Sequence, residues 1–112
     1  MRIAIDERHV RVHLSLWQKV LGLMRDLELP RGEVQDAELL AEPMKEVMRS
    51  GLKIGLRVPW LLYVGRTIRL DQMFVVRRGV PTLAFSVVND GALQRVLLST
   101  PEAARLLEQL RS

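Results

Sequence analysis

The chain has 112 residues, enough for one domain, and 48% of them are hydrophobic, so a real core can be buried. There is no cysteine, which excludes disulfides, thiolate nucleophiles and Cys-based metal sites and fits a reducing cytoplasm. The formal charge is +4 but it is segregated: residues 26–46 hold seven acids against two bases, and residues 49–78 hold seven bases against Asp71 alone. Such asymmetry marks either an anionic partner or solvated faces that can pair two copies.

In chain order, the opening MRIAIDERHVRVH interrupts every apolar run with charge, so no secretory signal is expected. Ile3 and Ile5 alternate with polar neighbours, Asp6-Glu7-Arg8 reads as a turn, and His9 to Leu16 alternates as a half-buried strand. Ser15 and Gln18 have capping-box spacing, so a short helix is expected to about Arg25, with Trp17, Val20, Leu21 and Met24 on its apolar face. Leu27 and Leu29 alternate before the break at Pro30-Arg31-Gly32. Glu33 to Leu40 is read as a strand, and Pro43 to Met48 as a helical turn stopped by Ser50-Gly51.

The stretch GLKIGLRVPWLLYVGRTIRL, residues 51–70, is too interrupted by charge to span a bilayer as a helix, which takes roughly 20 mostly apolar residues. It is read as a connector shaped by Gly55 and Pro59, leading into two core strands hinged at Gly65. Beyond it, short β-rich runs are separated by Asp71-Gln72, Gly79-Val80-Pro81 and Asn89-Asp90-Gly91, the pattern of an antiparallel meander. Thr100-Pro101-Glu102 supplies an N-cap, a first-turn proline and an acid. Ala103, Leu106, Leu107 and Leu110 then recur at helical spacing, predicting a capping helix over about 101–111.

Several pieces together resemble small, mostly uncharacterised bacterial proteins with a pleckstrin-homology-like fold. They are Val12-His-Leu-Ser-Leu-Trp-Gln-Lys19, Leu29-Pro30 followed by Val34, Gly55-Leu-Arg57-Val-Pro59, Gly65 with Phe74, Pro81 before an apolar run, and Leu97-Leu98-Ser99-Thr-Pro101. Trp60 stands where those proteins usually place glycine. The resemblance implies one mainly β domain over residues 1–112: a pair of roughly orthogonal antiparallel sheets, forming a partly open barrel, capped by one C-terminal helix. That fold carries many binding functions and names none.

Catalytic chemistry lacks its parts. Ser15, Ser50, Ser86 and Ser99 have no nucleophile-elbow context, and phosphate-cradling loops are absent, so neither an enzyme nor a cofactor is expected. His9 and His13 would lie roughly 13 Å apart on one strand face at about 3.3 Å per residue, with no third ligand, so no metal is expected. The reading is a cytoplasmic, non-enzymatic binding or assembly module with an unknown protein partner or a second copy. The alternative is an anionic-ligand binder using Arg49, Lys53, Arg57, Arg66 and Arg69, with Trp60 or Tyr63 at a lipid surface. Nucleic acid ranks below lipid, because stacking platforms need more exposed aromatics than this chain holds.

Overall fold

The N-terminal alternation becomes a three-stranded antiparallel sheet of β1 (Arg2–Ile5), β2 (His9–His13) and β3 (Leu27–Pro30), in that order. The computed structural model describes residues 1–22, 26–49, 53–58, 61–67, 72–89 and 92–111; for 20–22, 48, 49, 53, 54, 89 and 92 it describes the backbone alone. Val10 and Val12 are fully buried, while His9, Arg11 and His13 are half-buried, as a period of two requires.

Two aspartates hold the sheet's turns. Asp6 Oδ1 accepts from the backbone N–H of Arg8 at 2.8 Å and of His9 at 2.7 Å, and its other oxygen meets Arg11 at 2.8 Å. The backbone donors, joined by Arg11, lower its pKa from 3.8 to about 2. Since the folded value is depressed, the stabilisation is complete above the ordinary carboxylate range and is lost as the pH falls from 3.8 to about 2. A carboxyl carbon titration by NMR should place the Asp6 midpoint near 2. Asp6→Asn should remove that segment of the stability–pH curve, whereas a midpoint at the ordinary value would refute the assignment. Asp26 Oδ1 accepts from Leu14 N–H at 2.8 Å; this bond, helped by Lys19 and His13, lowers its pKa too.

Helix α1 (Leu16–Gly22) follows β2. Ser15 N–H donates to Gln18 Oε1 at 3.0 Å, so one half of the expected capping box forms; the Ser15 hydroxyl itself has no partner among the described residues. Gln18 is buried at 6% exposure, whereas Trp17 is 39% exposed rather than a core residue. Residues 23–25, the expected end of this helix, lie outside the described residues.

The second sheet has six strands: β4 (Val34–Leu40), β5 (Lys53–Val58), β6 (Leu62–Thr67), β7 (Gln72–Arg77), β8 (Thr82–Asn89) and β9 (Ala92–Ser99), ordered β4-β8-β9-β7-β6-β5. This is not a nearest-neighbour meander. β9 inserts between β7 and β8, antiparallel to β8 and parallel to β7. The link 78–81 joins β7 to β8 across the end of β9: Arg77 N–H donates to Ser99 Oγ at 2.9 Å, Ser99 Oγ and Thr82 Oγ1 share a 2.8 Å bond, and Thr100 N–H reaches Pro81 O at 2.9 Å. The hairpin expected at 89–91 is present in the pairing, which runs to Asn89↔Ala92; Asp90 and Gly91 lie outside the described residues.

The expected connector is corrected at two places. Residues 53–58 form a strand, paired residue for residue with β6. β6 runs straight through Gly65 without a hinge. Gly65 sits between Gly55 and Phe74 in the ladder, and Gly55 has φ +142°, where a Cβ would lie 2.1 Å from Val64 O. These glycines serve a close backbone approach rather than a bend.

The main core lies between the two sheets. Val10, Val12 and Leu29 from the small sheet meet Val64, Val75, Phe85, Val96 and Leu98 from the large one. Helix α3 (Ala103–Arg111) closes this core with Ala103, Leu106 and Leu107. Its expected cap is present, with Thr100 Oγ1 accepting from Glu102 N–H at 3.3 Å. Arg31 ties the helix end to the small sheet, donating to Gln109 O and to Asp6 O. On the other face of the large sheet, Val47 and Met44 of α2 (Pro43–Arg49) pack with Tyr63, Phe74, Val76, Ala84 and Leu97. The molecule is thus mainly β with two sheets and one C-terminal helix; the sheets share no strand pairing, and no closed barrel forms among the described residues.

Candidate functional site

Of the five basic residues singled out above, Arg57 and Arg66 have described side chains, and these lie on opposite faces of the large sheet. Arg49 is the last residue of α2 and Lys53 the first of β5, opposite Thr67; only their backbones are described. Arg69 lies outside the described residues. Arg57 is exposed in β5, opposite Tyr63. Arg66 pairs with Ile54 and Met73, and its Nη1 lies 3.5 Å from Thr67 O. Tyr63 and Arg66 are three apart on one strand, so alternation sends them to opposite faces. Arg57 shares the Tyr63 face, and the sheet therefore separates it from Arg66. Tyr63 is only 3% exposed in the second core, which removes it from any lipid surface; Trp60 lies outside the described residues.

Five of the seven acids of 26–46 have partners outside the basic segment. Glu38 and Glu46 hold Arg95 at 2.8 and 3.4 Å, Asp26 meets Lys19 at 3.4 Å, Glu28 meets Arg11 at 3.6 Å, and Glu42 meets Lys45 at 3.2 Å. Among the described residues, none of them pairs with Arg57, Arg77 or Arg78.

What the geometry brings out instead is a difference between the large sheet's two edges. β4 is guarded. Its register slips between Gln35 and Glu38, where Asp36 takes φ 53°, a left-handed value that Asp tolerates. Two of its carbonyls are covered: Arg95 donates to Asp36 O and Arg111 to Ala37 O, each at 3.3 Å. Bulge, charge and covering are the devices by which proteins blunt a sheet edge. β5 lacks the slip, although it carries a left-handed glycine, Gly55, and α1 packs near it. It pairs with β6 over six consecutive residues without a slip, and no strand lies beyond it among the described residues. Arg57 and Val58, adjacent and therefore on opposite faces, are both exposed, Val58 at 38%. An edge strand presents unpaired N–H and C=O groups at every second residue, a template for another strand.

Comparison with known proteins adds nothing to this picture. No family model, curated protein or solved structure matches this chain. Among the described residues, no group of three His, Asp or Glu side chains is placed to hold a metal ion, and no helix is long and apolar enough to cross a membrane. His13 Nδ1 faces Asp26 at 3.6 Å, so its nearest described acid belongs to the turn that caps β2.

The edge was partly visible in the sequence. Lys53-Ile54-Gly55-Leu56-Arg57-Val58 alternates with a period of two, a strand signal that the glycine and the nearby proline obscured.

Proposed function

We propose that this domain is a non-enzymatic interaction module that binds an extended segment of a partner protein by strand addition at β5. The observation that carries the reading is the contrast between the slipped and covered β4 edge and the β5 edge, which pairs with β6 over six residues without a slip. In strand addition the main-chain bonds supply affinity and alternate side chains supply specificity. Here the incoming strand meets Arg57 on one face and Leu56 and Val58 on the other. It is best matched by a segment whose acidic and apolar residues alternate. A second copy fits less well, because antiparallel pairing of β5 with itself brings like charges together. The separation of Arg57 from Arg66 argues against one anion held by both.

The test is selection from a random-peptide display library against the immobilised domain, followed by amide exchange on the complex. Enriched peptides should alternate acidic and apolar residues, protect β5 amides on binding, and lose affinity to Arg57→Glu while that variant gains peptides with lysine at the acidic positions. Peptides that protect another element overturn the reading. Co-sedimentation with acidic liposomes that both Arg57→Glu and Arg66→Glu abolish would overturn it in favour of an anionic surface.

A further inference from the structure

A cleft of about 230 Å³ opens between α1 and the large sheet, away from the outer edge of β5. Its walls are mixed: the apolar side chains of Trp17 from α1, Leu62 and Val75 from β6 and β7, and Val80 from the link 78–81 stand beside polar groups. Trp17 is 39% exposed here while its neighbour Gln18 is 6% exposed, so the helix turns its largest apolar side chain to the cleft and its amide inward. Two of the polar groups around it are already engaged. Gln18 Oε1 accepts from Ser15 N–H, and Ser99 Oγ is bonded to both Arg77 N–H and Thr82 Oγ1.

Two polar groups keep capacity to bind. Arg77 lines the cleft, alternates with Val75 and pairs with Leu62, and its guanidinium meets no acid among the described residues. The Thr100 hydroxyl accepts from Glu102 N–H and still has its own proton to donate. One guanidinium fork matches one carboxylate in a bidentate pair, and Met1 also lines the cleft. The volume lies below the roughly 300–1,000 Å³ that holds a drug-sized ligand.

We propose that this cleft binds a small monocarboxylate with an apolar body, its carboxylate held by Arg77 and the Thr100 hydroxyl and its body packed against Trp17, Leu62 and Val75. The site is independent of strand addition at β5, since it uses the inner face of the sheet rather than its edge.

The test is an NMR titration of the whole domain with 4-phenylbutyrate and with its neutral amide, 4-phenylbutanamide. The carboxylate should give saturable shifts at the Trp17 indole N–H and at the amides of Leu62, Val75 and Val80. The amide should bind about 10-fold more weakly or worse, the factor expected when a charge-assisted bond is lost. Arg77→Gln should erase that difference, and Arg78→Gln, next to it but outside the cleft, should preserve it. Trp17→Ala should weaken both ligands. The absence of saturable shifts at millimolar carboxylate, equal affinity for acid and amide, or a difference that survives Arg77→Gln would each overturn the proposal. The spectrum of each variant without ligand shows whether it keeps the parent fold.

Discussion

A chain lacking residues 101–112 is expected to show no cooperative thermal transition. Those residues include α3, which places Ala103, Leu106 and Leu107 in the core at 0, 1 and 8% exposure. Each buried leucine is worth about 1.5–3 kcal/mol by transfer alone. Two fully committed leucines and the half-buried Leu110 therefore account for much of the roughly 5–15 kcal/mol that holds a domain together. The deletion also uncovers Leu83 and Phe85 of β8 in the same core, and removes the Arg31–Gln109 and Arg111–Ala37 ties. Circular dichroism melting and binding of a hydrophobic dye would read the outcome. The single change Leu106→Ala provides a graded version, expected to cost about 2–5 kcal/mol in urea denaturation. A soluble truncation that melts cooperatively near the parent temperature would mean that α3 is an accessory rather than a closure.

Gly55→Val is expected to be the most damaging glycine substitution of those the structure can rank. The residue has φ +142°, which side chains with a Cβ rarely adopt, and the added Cβ would lie 2.1 Å from Val64 O and 2.7 Å from Gly65 Cα. Both obstacles are backbone, so no rotamer change relieves them. Strain of this kind costs about 1–3 kcal/mol before the clash is counted, so a total of at least about 3 kcal/mol or outright loss of β5 pairing should follow. Two other glycines provide the scale. Gly79 has φ +80° with nothing within 4 Å, so Gly79→Ala should cost about 1–2 kcal/mol from the backbone alone. Gly32 has neither feature, and Gly32→Ala should stay within about 0.5 kcal/mol of the parent. Urea midpoints for the three variants should fall in that order. If Gly55→Val unfolds at the parent midpoint, the close approach of β5 and β6 is wrong.

Local signals carried the elements whose chemistry is local. The Thr100-Pro101 start of α3, the Asn89-to-Gly91 hairpin and the alternation of β2 were legible because capping, turn geometry and period-two burial are written in neighbouring residues. Three features were not legible, each because it depends on distant register. Gly65 reads as a hinge until Gly55 is known to lie opposite it. Arg57 and Arg66 read as one basic cluster until the pairing with Tyr63 and Met73 puts them on different faces. The place of β9 is invisible from its own residues, since an apolar alternating strand fits beside β8 alone as well as between β8 and β7. The candidate edge was half legible, because its alternation is in the sequence whereas its exposure follows from the strand order.

The position of β9 also governs the order in which the large sheet can be completed during folding. In the order β4-β8-β9-β7-β6-β5, β9 is what joins the pair β4–β8 to the trio β7–β6–β5. Until β9 is inserted, the folding chain holds two half-sheets whose facing strands, MFVV in β7 and LAFSVV in β8, are almost wholly apolar. The link 78–81 keeps those two strands near each other at one end with a strand-wide gap still to fill. Unpaired apolar edges are the surfaces that recruit chaperones or aggregate. The folding chain is therefore at its most adhesive before β9 docks, and insertion of β9 ends that exposure.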